Sequence, residues 1–351
     1  MISEQPLFFT DRFLHLLKKV EICQPECIHS AMDFAYKAIL SQHPDFDPAK
    51  PPQRIAPLPA DANRPLWSVM IPTFNCASYL ESALRSVLEQ DLGPELMQIE
   101  VIDDCSTDNP EDVVKRVAGE RVTFYRKPRN EGAIPNFNTC IERSRGRLIH
   151  ILHGDDHVRN GFYEKTAAAL SRSPSSPICG TLVDIIDENG SVFEKRSYME
   201  KYSKSALDHC RDFHFGTHFQ FAGVVIRRDF YEQYGGFDTR LIHCADWEMW
   251  TRAVHHGGAV VVGEHLAAYR VFQTNDTSRL RRSADNLRDQ ERATLVLANM
   301  LPDYPIAKAR WKILKRAYRQ AKKFKRMGDL AAVEAHRQFL KQRTRWMWRL
   351  A

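Results

Sequence analysis

Apolar positions change period twice along this chain. Phe13, Leu16, Leu17 and Val20 recur at helical spacing, so residues 1–48 read as a helical arm. From Trp67 onward, short apolar runs alternate with amphipathic stretches. Ser68–Ile71 reads as a strand, Ala77–Glu89 as a helix, Ile99–Ile102 as a strand and Pro110–Val117 as a helix. Val122–Tyr125, Asn136–Arg143 and Leu148–Leu152 continue as strand, helix and strand. This alternation predicts a mostly parallel sheet with helices on both faces. After about residue 175 it becomes less regular, as a mixed-sheet half would, and residues 280–351 return to helix with a break at Gly328-Asp329. Between the arm and the alternating region, DPAKPPQRIAPLPADANRP carries Pro48, Pro51, Pro52, Pro57, Pro59 and Pro65, which predicts an extended linker without regular structure. The expected organisation is an arm at 1–48, a linker at 49–65, an α/β domain at 66–279 and a helical region at 280–351.

Composition adds little until charge is divided by region. An apolar fraction of 43% with 27% charged residues supplies ample core. The start, MISEQPLFFTDRF, has early acids and no long apolar run, and no stretch approaches the roughly 18 apolar residues of a spanning helix. The eight cysteines are scattered, with Cys23 and Cys27 the closest pair and no second pair at metal spacing; reduced thiols in a cytoplasmic protein are expected. The net charge of +6 hides an asymmetry. Residues 306–351 hold 15 Lys or Arg against Asp329 and Glu334, a balance of +13, so the remaining chain is net negative by 7.

The most informative run is HILHGDD, residues 150–156, where an apolar strand ends in two consecutive carboxylates. Acids at the carboxyl end of a strand in such a sheet lie where these sheets bind ligands. Asp155 and Asp156 would repel each other in a crevice, which makes a hard divalent cation a natural partner. The plain alternative is a solvated turn capping a helix that begins near Arg159. Two further strand ends fall on the same edge. One is Ile71-Pro72-Thr73-Phe74-Asn75; the other is Ile102-Asp103-Asp104-Cys105-Ser106-Thr107-Asp108. An aromatic can stack on a base and a carboxylate can accept from its N–H. Equally, Phe74 can be core, Asp103 structural, and Ser106, Thr107 and Asp108 a helix cap. The glycine-rich fingerprints G-x-G-x-x-G and G-x-x-x-x-G-K-[ST] are absent from the sequence.

Taken in order, PTFN, VIDDCSTD, NEGAIPNFN and LHGDD resemble the GT-A fold glycosyltransferases of the large inverting family 2, over about residues 67–275. The resemblance implies a nucleotide-diphospho-sugar transferase fold with N- and C-terminal helical extensions. It implies a nucleobase pocket lined by Pro72, Phe74 and Asn75, with Asp104 contacting the base. Asn130 and Gly132 would close the nucleotide half. Asp156 would ligate Mn²⁺ or Mg²⁺, and Asp155 would bind sugar or ribose or share the metal. Many members have a further acid where this chain has His153, expected here as a packing or supporting residue because imidazole suits Mg²⁺ poorly, although Mn²⁺ accepts one.

Downstream, GGFDTRLIHCADWEMWTRAV places Asp246 at the start of an amphipathic helix, Trp247–Ala253. Locally Asp246 can be a helix cap; the resemblance makes it the catalytic base, with Ala245 where most members have Glu. Displacement at an anomeric carbon requires such a group to take the acceptor's proton. Tyr269-Arg270-Val271-Phe272 and Thr277-Ser278-Arg279 resemble a lid over the diphosphate. Arg270 is then the phosphate contact, and Phe272 stands where members often have His. Thr217–Gly223 is expected to line the acceptor cleft, with core roles equally open for Phe219 and Phe221 and a structural one for His218.

The implied activity is metal-dependent inverting transfer from a nucleotide sugar, UDP-linked, to a growing surface polysaccharide or lipid-linked saccharide in a bacterium. A nucleotidyltransferase and an inactive GT-A-like binding protein are the alternatives. The basic tail, with Trp311, Trp346 and Trp348, suits either peripheral contact with the inner face of an anionic membrane or a helix pair packed on the protein. Nucleic acid is not expected as a partner.

Overall fold

The computed structural model describes residues 28–196, 209–272 and 276–344. Phe13, Leu16, Leu17, Val20, Cys23, Cys27, Trp346 and Trp348 lie outside them. The chain divides into two compact units, residues 50–279 and residues 1–49 together with 280–351.

Residues 50–279 are built on one nine-stranded mixed sheet. Its strands are β1 (Trp67–Thr73), β2 (Met97–Asp103), β3 (Thr123–Arg126), β4 (Leu148–Ile151), β5 (His157–Val158), β6 (Ile178–Ile186), β7 (Val192–Arg196), β8 (Val224–Arg227) and β9 (Ala259–Arg270). The order is β3-β2-β1-β4-β8-β6-β9-β5, with β7 added to β6. Strands β3, β2, β1 and β4 are parallel, so β1, β2 and β4 all end on one edge. Antiparallel β8 then separates β4 from β6. The helices α1 (Ile28–Leu40), α2 (Ala77–Leu88), α3 (Pro110–Ala118), α4 (Ala133–Arg143), α5 (Phe162–Ser171), α6 (His209–Phe213), α7 (Arg228–Tyr234) and α8 (Ala245–Gly257) follow in chain order. Then come α9 (Asp276–Arg282), α10 (Asp285–Met300), α11 (Ile306–Arg326) and α12 (Leu330–Thr344).

Every residue of β1 is buried, from Trp67 to Thr73. Val69, Ile71, Val101 and Leu152 form the core with Leu80 and Leu84 of α2, where each buried aliphatic side chain stabilises by about 1.5–3 kcal/mol. Helix α4 starts three residues before the sequence suggests. Gly132 turns into it at φ +92, and Pro135 lies in its first turn, where a missing N–H breaks no helix bond.

The proline-rich segment is extended, yet it is held down. Ile55 is buried. Gln53 O accepts from Gly236 N–H (2.8 Å), and Leu58 N–H donates to Glu232 Oε1 (3.4 Å). It is a strap laid on α7 and the turn after it rather than a free linker, because its backbone has partners.

In the other unit α10, α11 and α12 share a core that includes Leu287, Ile313, Leu314, Phe339 and Leu340, and α1 packs against α10 and α11. Glu291 is buried and bonds Arg343 through both oxygens (2.7 and 2.7 Å) and His43 (3.0 Å). Trp311 is half-buried against this core, with the Lys315 ammonium 4.3 Å from its ring centroid. Trp311 thus shows the packing that the sequence left open beside membrane contact. Among the described residues, no helix is long and apolar enough to cross a membrane.

Candidate active site

The ends of β1 and β2 are tied to each other. Asp104 N–H donates to Thr73 O (2.9 Å), and Asn75 N–H donates to Ser106 Oγ (3.0 Å). Asn75 Oδ1 accepts from Thr107 N–H (2.8 Å). Asn75 and Cys105 adopt left-handed backbone, φ 50 and φ 65, a conformation that costs a non-glycine residue roughly 1–2 kcal/mol. Asp103 is fully buried and accepts from Ser106 N–H (3.1 Å), the Ser106 hydroxyl and Arg126 (2.8 Å); the structural reading of Asp103 holds. Asp108 caps a helix, but across the loops: it accepts from Ala77 N–H at the start of α2 (2.8 Å). Pro72 is buried, whereas Phe74 is 48% exposed and is not core.

Asp104 is buried, and its carboxylate gathers the third loop. It accepts from Gly132 N–H (2.8 Å) and Glu131 N–H (3.1 Å) and pairs with Lys127 Nζ (3.1 Å). Asn130 Nδ2 donates to Asp104 O (3.2 Å). These bonds occupy most of the carboxylate's acceptor capacity. Asp104 therefore shapes the loop that holds Asn130 and Gly132.

At the end of β4, Gly154 N–H donates to Pro72 O (3.0 Å). A Cβ on Gly154 would lie 3.0 Å from Cys76 Sγ and 3.1 Å from Thr73 Oγ1, so only glycine brings the acid pair this close to the β1 loop. The Cys76 thiol is pushed up to about 12 by burial and by Asp155 beside it. Asp156 is buried; Oδ1 accepts from Arg270 N–H (2.9 Å), while Oδ2 has no hydrogen-bond partner. Burial, then Asp155, raises the Asp156 carboxyl well above the usual range, against the opposing pull of Arg270. His153 Nδ1 lies 3.8 Å from Asp156 Oδ2, and His153 Nε2 is buried without a partner. Burial lowers the His153 pKa, so the neutral ring is favoured. Ligand atoms of His153, Asp155 and Asp156 all lie within 4.8 Å of one another.

The donor set fits a divalent cation. An orphaned carboxylate oxygen, a second carboxylate and a neutral imidazole offer two hard ligands and one borderline ligand, which suits Mn²⁺ better than Mg²⁺. His153 thus joins the acids, where the sequence suggested a supporting position. The helix-cap alternative for the acid pair fails: α5 begins at Phe162 after Gly161 and has no side-chain cap.

Arg270 is anchored by main-chain groups around it. Its Nε donates to Asp155 O (2.9 Å), and its Nη1 donates to Asp187 O and Glu188 O (2.9 Å each). Its guanidinium carbon lies 4.7 Å from the Tyr79 ring centroid, and Phe272 stacks on the same tyrosine at 5.7 Å. The guanidinium braces the loop under the acids with three of its five N–H donors. Thr277, Ser278 and Arg279 lie in α9.

Asp246 sits in the first turn of α8 behind an N-cap at Cys244, so it is not the cap itself. It is partly exposed, and its Oδ1 accepts from Trp247 N–H (2.6 Å). A run of aromatic contacts connects this helix to the acids. His153 packs on Phe221 (4.5 Å between centroids), Phe221 on Trp250 (5.2 Å), and Trp250 lies one turn from Asp246. Phe137 also stacks on His153 at 5.0 Å and touches Phe221 at 4.8 Å. Phe219 and Phe221 are both buried core residues, and His218 Nε2 bonds Asp212 O (2.9 Å).

Residues 68–235 match the family model described as glycosyl transferase family 2. This segment resembles the family 2 glycosyltransferases. An uncharacterized glycosyltransferase of Methanocaldococcus jannaschii is 24% identical over 215 residues, covering 60% of this chain and 72% of that relative. S. aureus TarS 1-349, solved in complex with UDP-GlcNAc, superposes with a TM-score of 0.54 at 17% identity, covering 66% of each chain. The mannosyltransferase PcManGT of Pyrobaculum calidifontis, in complex with GDP-Man and Mn²⁺, gives 0.53 at 18% identity, covering 93% of this chain and 96% of that one. The sheet and its flanking helices are a GT-A fold, and the protein is a glycosyltransferase.

Some residues that shape the glycosyltransferase site carry no motif signal. Asn138 on α4 grips Phe237 through both its N–H (2.7 Å) and its O (2.9 Å). Arg252 on α8 donates to Gly236 O (2.8 Å) and Gly235 O (3.1 Å) while pairing with Glu248 (2.8 and 2.9 Å). The turn at 235–237 is thus held by both helices. Glu248 and Arg252 stand at i, i+4 on α8, a pairing the sequence could have shown; Asn138 had no local cue.

Proposed function

We propose that this glycosyltransferase transfers a sugar from a UDP-linked donor to a saccharide or lipid-linked saccharide, with inversion and with a divalent cation at Asp156, Asp155 and His153. The observation that carries the reading is Asp156 Oδ2, a buried carboxylate oxygen with no hydrogen-bond partner beside a second acid and a neutral imidazole. When bound there, the cation would stabilise charge on the departing diphosphate. Phe74 offers its exposed face to a base, next to Pro72 and Asn75. Asp104 keeps Asn130 and Gly132 in place at the nucleotide half. Asp246 takes the acceptor hydroxyl's proton; its partial exposure leaves it reachable. The basic helices suit peripheral contact with the cytoplasmic face of an anionic membrane.

Two variants test the chemistry. Asp246→Asn should retain donor binding and lose transfer by roughly 10²–10⁴-fold, and the wild-type product should have the anomeric configuration opposite to the donor by NMR. Full transfer by the variant, or a retained configuration, rejects the mechanism. Asp156→Ala should abolish Mn²⁺-dependent stabilisation by UDP; equal stabilisation of the wild type in EDTA and in Mn²⁺ rejects the metal assignment. GDP-linked donors belong in the same panel, since TarS was solved with UDP-GlcNAc and PcManGT with GDP-Man.

A further inference from the structure

Helix α11 carries ten Lys or Arg and no acid in 21 residues. It ends in a tight turn with Gly328 at φ +74, where Asp329 N–H donates to Phe324 O (3.0 Å) and Gly328 N–H donates to Lys325 O (3.1 Å). This double bond pattern is a Schellman stop, and it fixes what the turn presents. Met327 is 65% exposed and Leu330 is 73% exposed, the two most exposed large apolar side chains among the described residues.

Between α11 and α12, a groove of about 400 Å³ has Val333 and Leu340 in its floor and Lys322, Lys325, Arg326 and Arg337 around it. No carboxylate lines it. Of the two acids on this hairpin, Glu334 faces Arg337 at 3.6 Å, and Asp329 pairs with Arg282 at 2.9 Å. Lys322, Lys325 and Arg326 make no ion pair among the described residues.

We propose that the α11–α12 turn is a membrane-docking tip, in which Met327 and Leu330 enter an anionic bilayer and the groove's cations hold a phospholipid phosphate. This rests on the reading of the basic helices given above and gives that reading an address. Cations alone describe a solvated face, and two exposed apolar residues alone are ordinary. Side by side on one rigid turn, they match a surface with phosphate outside and hydrocarbon beneath. A soluble polyanion would engage the cations but gains nothing from Met327 and Leu330.

The test is co-sedimentation of the full chain with phosphatidylcholine vesicles, with and without phosphatidylglycerol, beside binding of inorganic polyphosphate. The wild type should pellet only with the anionic vesicles. Met327→Asp/Leu330→Asp should weaken vesicle binding by about tenfold or more and leave polyphosphate binding unchanged. Lys322→Gln/Lys325→Gln should weaken both by about fivefold per charge. Met327→Trp/Leu330→Trp should tighten vesicle binding. All four positions are exposed, so thermal unfolding should not move. Wild-type vesicle binding by the double Asp variant overturns the tip, as does an effect of that variant on polyphosphate equal to its effect on vesicles. Equal pelleting of the wild type with both vesicle types overturns the phosphate groove. Pelleting with neither overturns the membrane reading of the basic helices as a whole, whereas the glycosyltransferase reading stands or falls on donor turnover.

Discussion

Asp156 and Glu291 are almost equally buried, one in each compact unit, and their surroundings answer that burial in opposite ways. Burial pushes both carboxyls upward. Around Glu291, bonds from His43 and Arg343 overcome it and hold the carboxyl below its ordinary value. Around Asp156, Asp155 adds to burial, Arg270 answers only in part, and the carboxyl ends well above its ordinary value. A matched buried charge is architecture. An unmatched one, beside a second acid and an imidazole, is a place prepared for something the chain does not itself supply.

That contrast breaks most visibly at Glu291. Glu291→Ala leaves Arg343 buried without its partner and should cost about 3–5 kcal/mol in chemical denaturation; a loss below the usual surface range would remove the ion pair from the architecture. Because the Glu291 carboxyl is lowered, its contribution is present above about pH 4.5 and should be lost as pH falls through the folded value.

A second buried group gives the catalytic unit its own acid sensitivity. His150 bonds Tyr163 and Ala222 O in the core, and burial lowers its pKa from 6.5 to about 3. The unfolded chain therefore binds the extra proton between those values, and stability should fall with decreasing pH by up to about 1.4 kcal/mol per unit. His150→Gln should flatten that slope in melts taken across pH 3–7; an unchanged slope assigns the acid sensitivity elsewhere.

The smallest effect carries the opposite sign. Asp156→Asn replaces a strained carboxylate with a neutral group of the same shape. The metal-free protein should gain about 0.5–2 kcal/mol while losing its thermal response to Mn²⁺. Destabilisation of the metal-free protein would show that Asp156 is matched after all, and the comparison with Glu291 would collapse.

Much of the parallel half was legible because its strands announce themselves locally. The apolar runs before Asn75, Asp104 and Asp155 fall in β1, β2 and β4, and the parallel order brings their ends to one edge. The irregular half was legible only in outline, since antiparallel β8 is inserted between β4 and β6 by pairings that span nearly eighty residues. Side-chain roles were lost wherever the partner is remote. Arg270 and Asp104 read as ligand contacts because their types suit phosphate and base; the bonds that each also makes to main-chain groups of neighbouring loops had no local cue. Trp311 was open to either a membrane or a packing role because periodicity cannot show which helix face another helix will cover.

The grip on the turn at 235–237 has an evolutionary corollary. A Cβ at Gly236 would stand 2.4 Å from Asn138 Oδ1 and 3.2 Å from Ile55 Cδ1. Positions 138 and 236 are almost a hundred residues apart, but neither can drift alone. Among relatives that retain this turn, any side chain at 236 should appear only with a shorter residue at 138, and the pair should be inherited as one character.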